Sequence, residues 1–443
     1  MTMKVEKQSL KFIKPHIPTP ETNRTYKLGF TDELALFMNV AIIVFFSPNL
    51  NHENKNSILQ LQESLSKTLT RFYPLAGRYV DKTLTIDCND EGVEFIHATV
   101  NVKLDEQVVG SKADPNLVNQ FVSFKTPMMY QLTHPLLLSI QVTNFECGGV
   151  AIGVNASHKV VDASTLCTFL NEWAAINREE NNIEFTGSGF SSTLIFPGRG
   201  LSLVKSPSMS DDDKAYGEIT KRDGGNIIFY DDMLRKYTRI KRLFNESDIS
   251  NIREYAARTS SKSNIRRWSK VQLVGSILSK AFIDVDRAIH TYSRESVVFQ
   301  AINLRGKFAS FIPKDSCGNI TAKNVTKIGT LQITTLELAN LLSDSIKVAL
   351  NNYSKVFHDS EEGKSMVLNS LLETRTVPES TNVIAISSWC KFPFYKANFG
   401  FGKPIWVAPA TLTTQNIICL MDDARGNGVE CSLIYKTCPY VQT

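Results

Sequence analysis

The chain reads as an α/β protein built from two lobes, and three observations predict this. Strand-like and helix-like patterns alternate in both halves of the sequence, the mark of sheets with helices packed on them. The 443 residues exceed the size at which a single hydrophobic core usually stops growing. Between the halves, residues 198–235 (GRGLSLVKSPSMSDDDKAYGEITKRDGGNIIFYDDMLR) mix Gly, Ser, Pro and alternating charge over a length that suits a connection between domains. The expected organisation is therefore an N-terminal lobe at 1–197, a crossover at 198–235 and a C-terminal lobe at 236–443.

The elements around one stretch of the first lobe are the most legible. Leu136–Phe145 (LLLSIQVTNF) and Val150–Ser157 (VAIGVNAS) read as strands, with Glu146-Cys147-Gly148-Gly149 as the turn between them. In the second strand Val150, Ile152, Val154 and Ala156 share a face. Residues 162–175 (DASTLCTFLNEWAA) place Leu166, Phe169, Leu170 and Trp173 at helical spacing, so a helix starts at or near Asp162. Asp162 or Ser164 suits its N-cap. Beyond the crossover, Tyr237–Phe244 reads as a strand and a helix begins at about Glu246.

Composition excludes several classes of function. Hydrophobic residues make up 42% and charged residues 21%, as in ordinary globular proteins. A net charge of +5 with scattered Lys and Arg argues against a nucleic-acid partner, whose footprint is a concentrated basic face. The N-terminus has no apolar signal core. The longest apolar run, Leu34–Phe46, is 13 residues, too short for a bilayer. Eight dispersed cysteines with no CxxC pair predict reduced thiols, no zinc site and a cytoplasmic protein.

The stretch NASHKVVD (155–162) sits at the strand–helix junction and carries one of only seven histidines. A histidine there can project into a cleft, and its imidazole can accept and return a proton near neutral pH. It can equally be a structural side chain satisfied by local hydrogen bonds, and the His-x-x-x-Asp spacing alone does not choose. Asp162 has two open roles. If 158–162 were helical, His158 and Asp162 would share a face and pair as a dyad. If the helix begins only at Asp162, its carboxylate turns away toward a distant cation.

Taken in order along the chain, several segments resemble the plant BAHD family of acyl-CoA-dependent acyltransferases. They are IKPHIPTP (13–20), SLSKTLTRFYPLAGRYV (64–80), DCNDEGVEF (87–95), FECGGVAIGVNASHKVVDAST (145–165), QAINLR (300–305), CGN (317–319) and SSWCKFPFYKANFGFGKPIWV (387–407). Within the family the chain is most similar to the branch of vinorine synthase and the acylsugar acyltransferases. The resemblance implies two chloramphenicol-acetyltransferase-like lobes, each a mixed sheet with helices, around a central channel. It implies acyl-CoA as co-substrate, a small hydroxylated acceptor, no permanently bound cofactor, no metal and a monomeric state.

By the same resemblance His158 is the general base that deprotonates the acceptor for attack on the thioester. Asp162 pairs with Arg305 and supports the histidine loop. Ser387 and Trp389 are the oxyanion candidates, Trp389 being equally readable as a core aromatic. Ser269 and Asn303 are candidates for the CoA side. The expected reaction is transfer of an acetyl or short branched acyl group to a hydroxyl of an alkaloid, terpenoid or acylsugar.

The sequence departs from the family at two places. The usual Asp-Phe-Gly-Trp-Gly motif reads Asn398-Phe399-Gly400-Phe401-Gly402. It keeps the glycines expected to support a loop and loses the aspartate charge. The end, IYKTCPYVQT, stands where the family continues through a final helix. These departures motivate a second expectation, a catalytically impaired homologue that binds acyl-CoA or a partner protein.

Overall fold

The computed structural model describes residues 3–35, 38–48, 58–104, 108–110, 114–123, 136–179, 189–200, 237–259, 267–290, 292–308, 310–357, 360–373, 377–378, 380–410 and 416–436. Most of the expected crossover at 198–235 and the last seven residues lie outside the described residues. The chain's first half supplies strands β1 (Val5–Ile13), β2 (Thr25–Lys27), β3 (Asn39–Phe46), β4 (Arg78–Val80), β5 (Thr85–Asp87), β6 (Val93–Val100), β7 (Leu138–Phe145) and β8 (Val150–Ser157). The second half supplies β9 (Tyr237–Phe244), β10 (Ser296–Asn303), β11 (Thr321–Ile328) and β12 (Asn382–Ser388). It ends with β13 (Trp406–Ala410), β14 (Ile417–Asp422) and β15 (Val429–Lys436).

These strands form two six-stranded mixed sheets, β1-β6-β7-β8-β3-β13 and β11-β10-β12-β14-β15-β9, and a small sheet β2-β5-β4. In the first sheet β6 and β7 run parallel and the other pairs antiparallel. In the second, β12 runs parallel to both β10 and β14. Strand chemistry explains the order. β3, NVAIIVFF, is buried over seven of its eight residues, as an interior strand covered on both faces must be. β1, VEKQSLKFI, is largely exposed and carries charges, as an edge strand should. Pro409 lies in β13, at the opposite edge, where a missing N–H breaks no ladder.

The chain divides into two compact units that are not its two halves. The first is Met1–Ser202 with Leu304–Ile320 and Phe392–Thr413, and the second holds the remaining segments. The sequence reading gave all of 236–443 to one lobe. Two stretches of it instead join the first unit, because β13 hydrogen-bonds along β3, from Trp406 opposite Phe45 to Ala410 opposite Ala41. Trp406 stacks on Phe45 with ring centroids 5.1 Å apart, and Phe121 meets Phe45 edge-on at 5.6 Å. The second unit has its own core, where Val274, Leu278 and Ile283 of helix Lys270–Ile289 pack on Ile384, Ile386, Ile418 and Leu420.

Val150, Ile152, Val154 and Ala156 share a face of β8, and the strand is buried along its whole length. Its other face meets the backbone of 121–122. A Cβ built on Gly153 would lie 2.0 Å from the Phe121 carbonyl oxygen, so no side chain fits without moving the chain. Gly153→Ala should therefore destabilise the protein by roughly 1–3 kcal/mol, the usual cost of overpacking a core. Urea titration of the variant against the parent checks this.

Candidate active site

β8 ends at Ser157 and helix Ala163–Asn177 follows after a short loop that carries His158. Asp162 is the helix N-cap, with extended backbone (φ −103°, ψ 176°) and Oδ1 accepting from the Thr165 backbone N–H at 2.8 Å and its hydroxyl at 3.0 Å. An extended Asp162 excludes a helical 158–162, so the His158–Asp162 dyad does not form. The carboxylate faces the other way. Its Oδ2 accepts from Arg305 Nη1 at 2.7 Å and from the Ile320 N–H at 3.1 Å. Both side chains of this ion pair are almost wholly buried. Burial pushes the Asp162 carboxyl upward, but Arg305 and the N–H donors of Thr165 and Ile320 outweigh it and hold the group below its ordinary value.

Arg305 does more than neutralise Asp162. Its Nε donates to the Ser316 carbonyl at 2.6 Å, and its Nη2 donates to Thr165 Oγ1 at 3.1 Å and to the Gly318 carbonyl at 2.9 Å. Thr165 Oγ1 also accepts from the Gly318 N–H at 3.1 Å. Loop 316–320 is thus clamped against the start of the helix. Gly318 has φ +112°, and a Cβ there would sit 2.3 Å from Ser192 Oγ, so only glycine fits. The clamp sets the position of the next residue, Asn319.

Asn319 reaches His158 twice. Its Nδ2 donates to the His158 carbonyl at 2.7 Å, and its Oδ1 lies 2.9 Å from His158 Nδ1. The same Nδ2 donates to Asp32 Oδ1 at 2.8 Å, and the Asn319 backbone N–H donates to that oxygen at 2.9 Å. Asp32 Oδ2 accepts from Ser192 Oγ at 2.6 Å and from the Gly29 N–H at 3.1 Å. Ser192 Oγ in turn lies 3.0 Å from the Tyr26 hydroxyl. Asp32 is buried, and burial, only partly offset by these donors, pushes its carboxyl up to about 6. The loop is pinned from below as well: Lys159 is fully buried, its Nζ donating to the Glu33 carbonyl at 2.8 Å.

Sequence reasoning missed Asn319, Asp32 and Lys159 as members of this site. The CGN segment was visible as a family mark, and no short-range signal linked it to His158, 161 positions away. For Asp32 the usable signal was local: two consecutive carboxylates, Asp32 and Glu33, between the apolar residues Phe30 and Leu34 of the buried stretch Leu28–Ala35 are expensive unless they have a task.

Asn398, Gly400 and Gly402 also belong to the first unit. Asn398 Oδ1 accepts from the N–H groups of Gly400 at 2.8 Å and Gly402 at 3.0 Å. Both glycines have positive φ, 95° and 89°, which explains why they are needed. Phe399 is buried edge-on against Trp173 at 4.8 Å, and its carbonyl accepts from Asn177 Nδ2 at 2.8 Å. The motif therefore braces the helix that Asp162 caps. The acceptor role that an aspartate would play here is filled by the asparagine, so the Asn398 geometry gives no support to an impaired loop.

The remaining candidates lie in the second unit. Ser387 and Trp389 come together at the end of β12, with Trp389 Nε1 donating to Ser387 Oγ at 3.0 Å. Trp389 is also buried, so the oxyanion and core readings are not exclusive. Ser269 is the N-cap of helix Lys270–Ile289 in a capping box with Gln272, its hydroxyl accepting from the Gln272 N–H and its own N–H donating to Gln272 Oε1. Asn303 is the last residue of β10, opposite Thr321 of β11. Cys390 is buried, and burial pushes its thiol up to about 12, which makes it a poor nucleophile. The cysteines among the described residues are free thiols. Also among the described residues, no group of three or more His, Cys, Asp or Glu is arranged to hold a metal ion.

The transferase family model matches residues 3–436. The chain belongs to this family, the BAHD acyltransferases. It is 31% identical to stemmadenine O-acetyltransferase of Catharanthus roseus, the match covering 95% of this chain and 92% of that protein. It is 30% identical to vinorine synthase of Rauvolfia serpentina, over 97% and 94%. The crystal structure of vinorine synthase superimposes with a TM-score of 0.78 at 27% identity, covering 98% of this chain and 95% of that one. A complex of F. sporotrichioides TRI101 with coenzyme A and T-2 shares the fold, with a TM-score of 0.66 at 15% identity. The protein is thus a transferase with the two-lobed fold expected from its sequence, in a family whose co-substrate is acyl-CoA. No described helix is long and apolar enough to cross a membrane.

Two consequences for this BAHD acyltransferase can be measured. Arg305→Met leaves the Asp162 carboxylate buried without its cation, and should cost about 3–5 kcal/mol of stability in denaturant titration. Asp32 behaves in the opposite sense to a salt-bridged carboxylate. Its folded pKa of about 6 lies above the ordinary 3.8, so its contribution is most favourable below the unfolded value and is lost as pH rises through about 6. Between pH 4 and pH 8 the parent should lose roughly 2 kcal/mol relative to Asp32→Asn, since each pKa unit is worth about 1.36 kcal/mol and the unfolded carboxyl is already more than half ionised at pH 4. The paired comparison is needed because burial also pushes Glu172 up to about 7.

Proposed function

We propose that this protein is an acyl-CoA-dependent O-acyltransferase that moves an acetyl or short branched acyl group to a hydroxyl of a plant specialised metabolite, with His158 as general base. The single observation that carries this reading is the contact between His158 Nδ1 and Asn319 Oδ1. An amide oxygen can only accept, so the proton of the neutral ring resides on Nδ1 and the basic lone pair on Nε2.

In the proposed reaction Nε2 takes the proton from the acceptor hydroxyl as its oxygen attacks the thioester carbonyl. A C–O bond forms and the carbonyl oxygen becomes a tetrahedral oxyanion. Collapse restores the carbonyl, breaks the C–S bond and expels CoA thiolate, which takes the proton back from the imidazolium. Ser387 is the proposed oxyanion donor. The Trp389 N–H is given to its Oγ, so the serine retains its own proton for the oxyanion, and the indole orients and polarises it. Ser269 and Asn303 remain proposed for the CoA side. O-acetylation is supported by the likeness to the stemmadenine O-acetyltransferase of Catharanthus roseus. We also propose a cytoplasmic monomer.

The test is a mass-shift assay with acetyl-, isobutyryl- and isovaleryl-CoA against a pool of hydroxylated plant metabolites. Parent protein should yield a product heavier by one acyl group, reduced roughly 10²–10⁴-fold in His158→Ala. Ser387→Ala should lower kcat by about 10²–10³ with little change in KM. Undiminished turnover in His158→Ala would overturn the general-base reading.

A further inference from the structure

We propose that Asp32 is a positioning residue for the reaction, acting on His158 through Asn319 so that the three form a His–Asn–Asp relay in which the carboxylate sits one amide group behind the imidazole. This rests on the reading of His158 as the base. The relay is fixed by hydrogen-bond logic. Asn319 Nδ2 faces two groups that only accept, the His158 carbonyl and the Asp32 carboxylate. Turning the amide over would set oxygen against oxygen on both sides, so Oδ1 must be the atom that faces His158 Nδ1. Neutral imidazole left to itself populates both tautomers; this contact selects the one with the lone pair on Nε2.

Asp32 adds what Asn319 alone cannot. Its Oδ1 takes both N–H groups that Asn319 offers on that side, and its Oδ2 is held by Ser192 and Gly29. None of these donors is charged. A carboxylate with only uncharged partners, 1% exposed, is costly to fold. Its charge has an evident use at this place. When Nε2 accepts a proton the ring becomes a cation, and a fixed negative charge behind Nδ1–H···Oδ1 stabilises it without any movement. The amide between them is polarised in the required sense, with Nδ2–H toward the carboxylate and Oδ1 toward the ring. Ser192 and Tyr26 complete the polar chain on the far side of Asp32.

The other ionisable groups near the relay include Glu33, next to Asp32 and holding the N–H groups of Arg199 and Gly200, Lys159, whose Nζ is bonded to the Glu33 carbonyl, Tyr26, and the Asp162–Arg305 pair that holds Gly318 and Ile320 on either side of Asn319. All stay in place in the variants that test the proposal. The full chain, labelled with ¹⁵N-histidine, is titrated by two-bond ¹H–¹⁵N correlation, with His158→Gln assigning the signal. Parent His158 should show the Nδ1–H tautomer at high pH. Asp32→Asn should keep that tautomer, lower the His158 pKa by about one unit, and reduce kcat about 10–100-fold at unchanged KM, the loss typical when a supporting partner is removed. Asn319→Ala, which leaves Asp32 intact, should shift His158 toward the Nε2–H tautomer with a similar loss in kcat.

A cooperatively folded Asp32→Asn protein whose His158 titrates as in the parent, with unchanged kcat, overturns the proposal. If that variant does not fold, an unchanged His158 tautomer in Asn319→Ala overturns it instead. These spectra do not depend on turnover. Full activity in His158→Ala would sink the general-base reading, while the tautomer and pKa data would still report whether Asp32 governs the ring.

Discussion

The site depends on one buried cation. Arg305 spends its planar array of N–H groups on Asp162, Thr165, Ser316 and Gly318, which means on the helix that follows the histidine and on the loop that supplies Asn319. A lysine could not replace it, because three donors on one rotating nitrogen cannot hold two backbone carbonyls and a carboxylate in fixed directions. The aspartate of the HKVVD stretch therefore acts on the histidine indirectly. It neutralises and orients Arg305, Arg305 sets loop 316–320, and Asn319 in that loop fixes the ring. The four-residue spacing records where the helix starts and does not record a dyad.

A second brace comes from the other end of the same helix. Trp173 gives its indole N–H to Leu61 and Ser64 of the neighbouring helix Ile58–Arg71 and packs against Phe399, while Asn177 binds the Phe399 carbonyl. The NFGFG segment is thus a clip on the helix whose N-terminus presents the histidine loop. What the clip demands is an oxygen that accepts two adjacent N–H groups and two glycines with positive φ. Asn398 meets the first demand and Gly400 and Gly402 the second. Replacing the family's aspartate costs a charge and leaves this hydrogen-bonded turn intact.

Local pattern made much of the scaffold legible in the sequence. β8 and β9 and the starts of both following helices coincide with their periodicity and caps, since strand alternation and an N-capping aspartate are short-range signals. The division into units was not legible, because β13 reaches β3 from more than 350 positions away, and nothing in WVAPA says which sheet it will join. At the site, His158, Asp162 and Arg305 were readable through motif and resemblance. Asn319 and Asp32 were not, since the contacts that give them meaning span 161 and 287 positions.

Asp32 and Lys159 show why such residues are found from energetics more readily than from pattern. Both are charged types in buried positions beside the histidine loop, where an apolar side chain would fold at lower cost. A core selected for stability alone would shed them; a core that must hold one imidazole in one tautomer has a reason to retain them. Lys159 sits next to the histidine in the chain and ties the loop to the Glu33 carbonyl, while Asp32, one residue before Glu33, ties the same short helix to Asn319. Helix Phe30–Glu33 is consequently held by both of its acidic residues, to loop 316–320 through the Asp32 side chain and to the histidine loop through the Glu33 backbone. The two expensive burials thus serve one geometric end, the immobility of His158 relative to Asn319. That shared end accounts for finding both in so short a stretch of structure.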